Sequence, residues 1–78
     1  MDRIYVLAKF EGEDVKRTLH LLRGIEGVKR ADMVTGTHDI VIVVEGTHLP
    51  ALLATVVREI RMVPGIHGTE TLVVISDG

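Results

Sequence analysis

Two units of strand, helix and strand follow one another in this chain, each punctuated by glycine. Gly12 follows the first strand-like segment as Gly46 follows the third, and Gly27 precedes the second as Gly65 precedes the fourth. The second glycine interval is longer than the first by about one helical turn. Between these marks the hydrophobic pattern switches cleanly. Ile4, Val6, Ala8 and Phe10 alternate with Tyr5, Leu7 and Lys9, which predicts a strand over Arg3 to Phe10. Glu11, Gly12, Glu13 and Asp14 form a turn leading into a helix. Val15, Leu19 and Leu22 then recur at helical spacing, and Gly24 ends the run. Val28 to Thr35 reads as a second strand and Ile40 to Val44 as a third. Leu49, Leu52, Leu53, Val56, Val57 and Ile60 mark a second helix, with Thr47 as its expected N-cap and Pro50 in its first turn. Pro64-Gly65 stops it, and Ile66 to Ile75 is a fourth strand.

The order β-α-β-β-α-β predicts an α+β, ferredoxin-like fold. It has a four-stranded antiparallel sheet with two helices on one face, the arrangement of dimeric α+β barrels. All 78 residues belong to one domain, 1–78. A chain this short buries only roughly 60–65% of the surface its unfolded form exposes. It has no cysteine, so neither a disulfide nor a thiolate metal site can supplement the core. Oligomerisation is the remaining supplement. The strand pattern points the same way, because two helices can cover one face only. With Val6, Ala8, Ile42, Val44, Leu72 and Val74 toward the helices, the other face carries Tyr5, Leu7, Ala31, Met33, Val41, Val43, Val73 and Ile75. A patch of that size marks an interface. The expected minimum unit is a dimer joined through the sheets, with Tyr5, Leu7, Val41, Val43, Val73 and Ile75 at its centre.

The formal charge of -2 gives no electrostatic footprint for direct nucleic-acid binding. There is no basic amphipathic helix, no apolar run near the ~20 residues of a membrane span, and no signal-peptide pattern at Met1-Asp2-Arg3. A cytoplasmic protein without a membrane partner is expected. Asn, Gln, Cys and Trp are all absent, a depletion that follows a trend of proteins from hot environments.

Catalytic and metal chemistry find little support. His20, His38, His48 and His67 fall in different elements without ligand spacing. The one serine, Ser76, lies in the tail, and none of the seven threonines has an evident base partner. No cofactor, metal or catalytic residue is expected. Two other clusters hold polar groups suited to a small ligand. Thr35-Gly36-Thr37-His38-Asp39 joins two strands. Gly36 permits close backbone approach and Asp39 suits an ammonium group, although an ordinary hairpin turn selects the same residue types. Thr69-Glu70-Thr71 opens the last strand. Two hydroxyls beside an apolar patch suit a carboxylate, although strand propensity also favours threonine.

These clusters carry a family resemblance. Val34-Thr35-Gly36-Thr37-His38-Asp39 resembles the V-T-G-x-x-D segment of the RAM domain, the effector-binding half of Lrp/AsnC transcriptional regulators. Val63-Pro64-Gly65-Ile66, followed by Thr69-Glu70-Thr71-Leu72-Val73, resembles that family's I-P-G-V-x-x-T-x-T-x-x-V ending. Ile25-Glu26-Gly27-Val28 is similar to the matching P-G-V, with Glu26 where proline is common. The resemblance covers essentially the whole chain in order. It implies sheet-to-sheet dimers assembled into a ring, an octamer or decamer, with free amino acids bound between dimers. By position it implies ligand contacts at Gly36, His38, Asp39, Thr69 and Thr71, with Met33 lining a side-chain pocket. Regulators of this family carry a helix-turn-helix before the domain. Here the first strand begins by Arg3, so a stand-alone RAM protein is expected, acting through co-assembly with full-length Lrp/AsnC regulators. The competing readings are a structural or interaction module without a ligand, a small dimeric α+β barrel enzyme, and an ACT-type sensor using Gly12.

Overall fold

The computed structural model describes residues 1–75. Strand β1 (Asp2–Phe10) leads through Asp14 into helix α1 (Val15–Arg23). The Asp14 carboxylate accepts from the Arg17 N–H at 3.0 Å and so caps the helix. Strands β2 (Val28–Met33) and β3 (Ile40–Gly46) follow, then helix α2 (Leu49–Arg58), a 3₁₀ turn (Ile60–Met62) and strand β4 (Ile66–Val73). All pairings are antiparallel and the sheet order is β2-β3-β1-β4. This is the ferredoxin-like fold that the element order predicts. The second cap departs from expectation. His48, not Thr47, holds the N-cap position, and no side chain bonds to the helix there. Leu49 and Pro50 already sit in the first turn, one residue later than a Thr47 cap requires.

The core is one layer between sheet and helices. Ile4, Val6 and Ala8 of β1 and Ile40, Ile42 and Val44 of β3 are fully buried there. Leu19 and Leu22 of α1, Leu52 and Val56 of α2, and Ile60 close over them. Each of these Val, Leu and Ile side chains stabilises the fold by about 1.5–3 kcal/mol relative to exposure. Leu53 and Val57, also at helical spacing, stay 38% and 57% exposed. The apolar stripe of α2 is therefore wider than the face it buries.

The edge strands correct the sequence reading of which residue faces which way. Residues directly opposite one another in antiparallel strands share a face. Leu72 lies opposite Tyr5, and Val73 opposite Ile4. Leu72 therefore belongs to the open face and Val73 to the helix side, the reverse of the alternation expected from Ile66 onward. Val74 continues this order, its N–H donating to the Arg3 carbonyl at 3.1 Å. Ile75 lies beyond β4 and is almost fully exposed. On the other edge, Ala31 pairs with Ile42 and Met33 with Ile40, so both lie on the helix side. The cause is the same in both strands. A register shift between Val28 and Arg30 adds a residue to β2, and one between His67 and Glu70 adds a residue to β4. One extra residue reverses every later side chain.

The open face that results is apolar at its centre and charged at its margin. Tyr5, Leu7, Val41 and Val43 are half-buried by one another, and Leu72 is 44% exposed beside them. Arg3 and Glu45 pair at 2.7 Å, and Arg30 and Asp32 at 2.9 Å, along the rim. Hydrogen bonding to Glu45, with Tyr5 as a second partner, holds the Arg3 pKa above its ordinary value.

The Pro64-Gly65 turn joins this layer to β1. Gly65 has φ +96°, and the Glu11 N–H donates to its carbonyl at 2.9 Å. A Cβ at Gly65 meets the Phe10 ring at 2.6 Å and the Thr18 hydroxyl at 2.9 Å. That hydroxyl also donates to the Pro64 carbonyl at 2.8 Å. Gly65→Ala therefore combines left-handed strain with a steric clash and is expected to cost about 2–4 kcal/mol. Gly36→Ala, at φ +121° with open space around it, carries the strain alone and costs less. Urea unfolding of the two variants tests this order.

Candidate functional site

The loop from Val34 to Asp39 is held by backbone bonds at both ends. Val34 N–H donates to the Asp39 carbonyl at 2.8 Å, and Asp39 N–H to the Ala8 carbonyl at 2.9 Å. The Asp39 carboxylate accepts from the Phe10 N–H at 2.9 Å. Asp39 thus has a structural role, since it satisfies a backbone donor near the end of β1 and fixes the loop to that strand. Its second oxygen remains for other partners. His38 reaches over the end of β1 to Glu70 of β4, with Nε2 to Oε1 at 3.7 Å, while Thr37 Oγ1 lies 3.2 Å from its Nδ1. Gly36, with φ +121°, is exposed at the tip.

The two predicted clusters meet only in part. His38 contacts Glu70, which lies opposite Leu7 on the open face. Thr71 lies opposite Val6, on the helix side, and Thr69 sits in the bulge before it. Thr71 therefore does not border the open apolar face as the alternation suggested, and it lies on the opposite face from Glu70, the residue that His38 contacts. Met33 stands 53% exposed at the end of the opposite edge strand.

Arg61, Ile66, His67, Gly68 and Thr69 line a polar hollow of about 440 Å³ at the β4 edge. The sequence reading passed over Arg61 because no spacing links it to Thr69; the helix-to-strand turn brings them together. A second, more apolar cleft of about 260 Å³ runs between the β1–α1 turn and Pro64-Gly65, floored by Phe10, Leu21 and Pro64. Among the described residues, no three His, Asp or Glu side chains are placed to hold a metal ion. Among the described residues, no helix is long and apolar enough to cross a membrane.

Comparison with known proteins defines the class to which this geometry belongs. The family model for the Lrp/AsnC ligand binding domain matches residues 3–77. The chain belongs to that family, as a regulatory ligand-binding domain. TTHA0845 from Thermus thermophilus superposes with a TM-score of 0.90 at 26% identity, over 100% of this chain and 98% of that one. Escherichia coli AsnC superposes with a TM-score of 0.86 at 25% identity, over 97% of this chain but 52% of AsnC. The transcriptional regulator NMB0573 of Neisseria meningitidis, solved as an L-Met complex, shares the fold. Its TM-score is 0.84 at 14% identity, over 97% of this chain and 51% of that one. No curated protein matches the chain.

The Asp39 contact separates a structural from a purely ligand-binding role. Asp39→Ala leaves the Phe10 N–H without its acceptor and is expected to lower stability by about 1–2 kcal/mol in ligand-free protein. Unchanged denaturation would mean that Asp39 serves only a ligand.

Proposed function

We propose that this chain is an oligomeric, amino-acid-binding effector module related to Lrp/AsnC regulators. The observation that carries the reading is the family match over residues 3–77; polar groups stand at the loop and strand positions where the resemblance implies effector contacts. A related fold occupied by L-Met supports an amino acid as the ligand class. The division of the site supports assembly. His38 contacts Glu70 on the open face, whereas Thr71 lies on the helix side. A ligand meeting both groups sits between protomers, where one copy presents its loop and another its bulged strand.

The sheet face supplies the first contact of that assembly. An apolar centre of Tyr5, Leu7, Val41, Val43 and Leu72 with a charged rim has the anatomy of a protein interface. Sheet-to-sheet dimers assembled into a ring of octamer or decamer size follow from the resemblance. Co-assembly with full-length Lrp/AsnC regulators, whose length is about twice that of this chain in AsnC, is the regulatory route we propose.

Two measurements test the proposal. Val43→Asp places a carboxylate at the centre of the open face and is expected to convert the oligomer to monomers by light scattering, with the circular dichroism of the fold retained. An unchanged mass removes the sheet interface. Thermal unfolding against a panel of free amino acids is expected to show a selective rise. It corresponds to about 2.7 kcal/mol of added stability at a hundredfold excess over Kd. The double variant Thr69→Ala with Thr71→Ala is expected to abolish that rise while keeping the oligomer. No rise with any amino acid moves the reading to an assembly module without a ligand.

A further inference from the structure

We infer that the hollow at the bulged edge of the sheet seats a carboxylate, with Arg61 as its principal binding residue. This deepens the amino-acid reading, on which it rests for the ligand's identity, by giving the carboxylate end of the ligand a place and a partner. Arg61 lies in the 3₁₀ turn after α2. Its neighbour Ile60 is fully buried and pins that turn to the core, which leaves Arg61 exposed beside the strand. None of the ion pairs among the described residues uses its guanidinium. The planar fork of N–H groups matches the two oxygens of a carboxylate.

The rest of the hollow adds donors and contributes no acidic side chain. Thr69 and His67 are among its lining residues, and no Asp or Glu is. Glu11 is not among the lining residues, and its Oε2 lies 3.8 Å from the His67 Nδ1. Gly68, at φ +49°, turns the backbone through the bulge. A side chain there would meet nothing within 4 Å, so the requirement for glycine is conformational rather than steric. Because β4 is an edge strand, its outer backbone groups have no sheet partner at this turn. A hollow of about 440 Å³ lies within the size range of small-molecule sites.

The test uses the full chain, labelled with ¹⁵N, and sodium acetate as a carboxylate without an amine. At constant ionic strength set by chloride, acetate is expected to move the amide signals of His67, Gly68 and Thr69 in a saturable way. Methylammonium is expected to move none. Arg61→Ala should remove the response and Arg61→Lys keep part of it. Arg61 is exposed, and unchanged amide signals elsewhere report that the variant is folded. For any amino acid that raises the melting temperature, Arg61→Ala should weaken binding by about tenfold or more. The inference is overturned if acetate shifts nothing beyond chloride, or if Arg61→Ala responds like the parent. An equal or stronger response to inorganic phosphate overturns the carboxylate assignment in favour of a general anion recess. A saturable acetate response in a protein that binds no amino acid upholds the recess and defeats the effector reading, so the two failures are distinguishable.

Discussion

The pairing of β1 with β3 is the contact on which the rest of the structure depends. Seven consecutive residues of β1 pair with seven of β3, from Asp2 opposite Gly46 to Ala8 opposite Ile40. The pair is apolar on both sides. One side, Ile4, Val6, Ala8, Ile40, Ile42 and Val44, is sealed by the two helices. The other, Tyr5, Leu7, Val41 and Val43, has no helix left to cover it. With both helices on one side of the sheet, this second side has no covering layer among the described residues.

The outer strands flank that central pair with a register of their own. Both β2 and β4 carry one extra residue relative to their neighbours. The bulges let the ends of the edge strands face the helix side and leave their charged residues at the rim of the open face. In β4 the consequence is chemical as well as geometric. The bulge places Thr69 with Arg61 at the lining of one hollow, while Glu70 stays within reach of His38.

Asp39 fixes the loop to the neighbouring strand. Its backbone N–H and its carboxylate both bond to β1, through Ala8 and Phe10. The loop is therefore held to β1 near its end, with Gly36 exposed at its tip.

Much of the architecture was legible from residue order. The alternation in Arg3 to Phe10, the spacing of Leu19 and Leu22, and the Pro64-Gly65 stop are local signals, and local geometry obeys them. The loop motif around Gly36 and Asp39 and the threonine pair at 69 and 71 were legible as candidates too, because chemistry is written in residue type. Their relative orientation was not. Nothing in the types of Val28, Lys29 and Arg30 announces a bulge, and Gly68 is one residue whose effect reverses Thr69, Thr71, Leu72 and Val73 together. The apolar stripe of α2 likewise named Leu53 and Val57 without saying that the sheet beneath is too narrow to bury them. The sequence by itself determined the element order, the fold and the family, since periodicity and turn chemistry act between near neighbours. Tertiary structure alone decided which face each edge residue occupies and that Arg61 stands beside Thr69, because register and the approach of distant segments are set by pairing across the sheet.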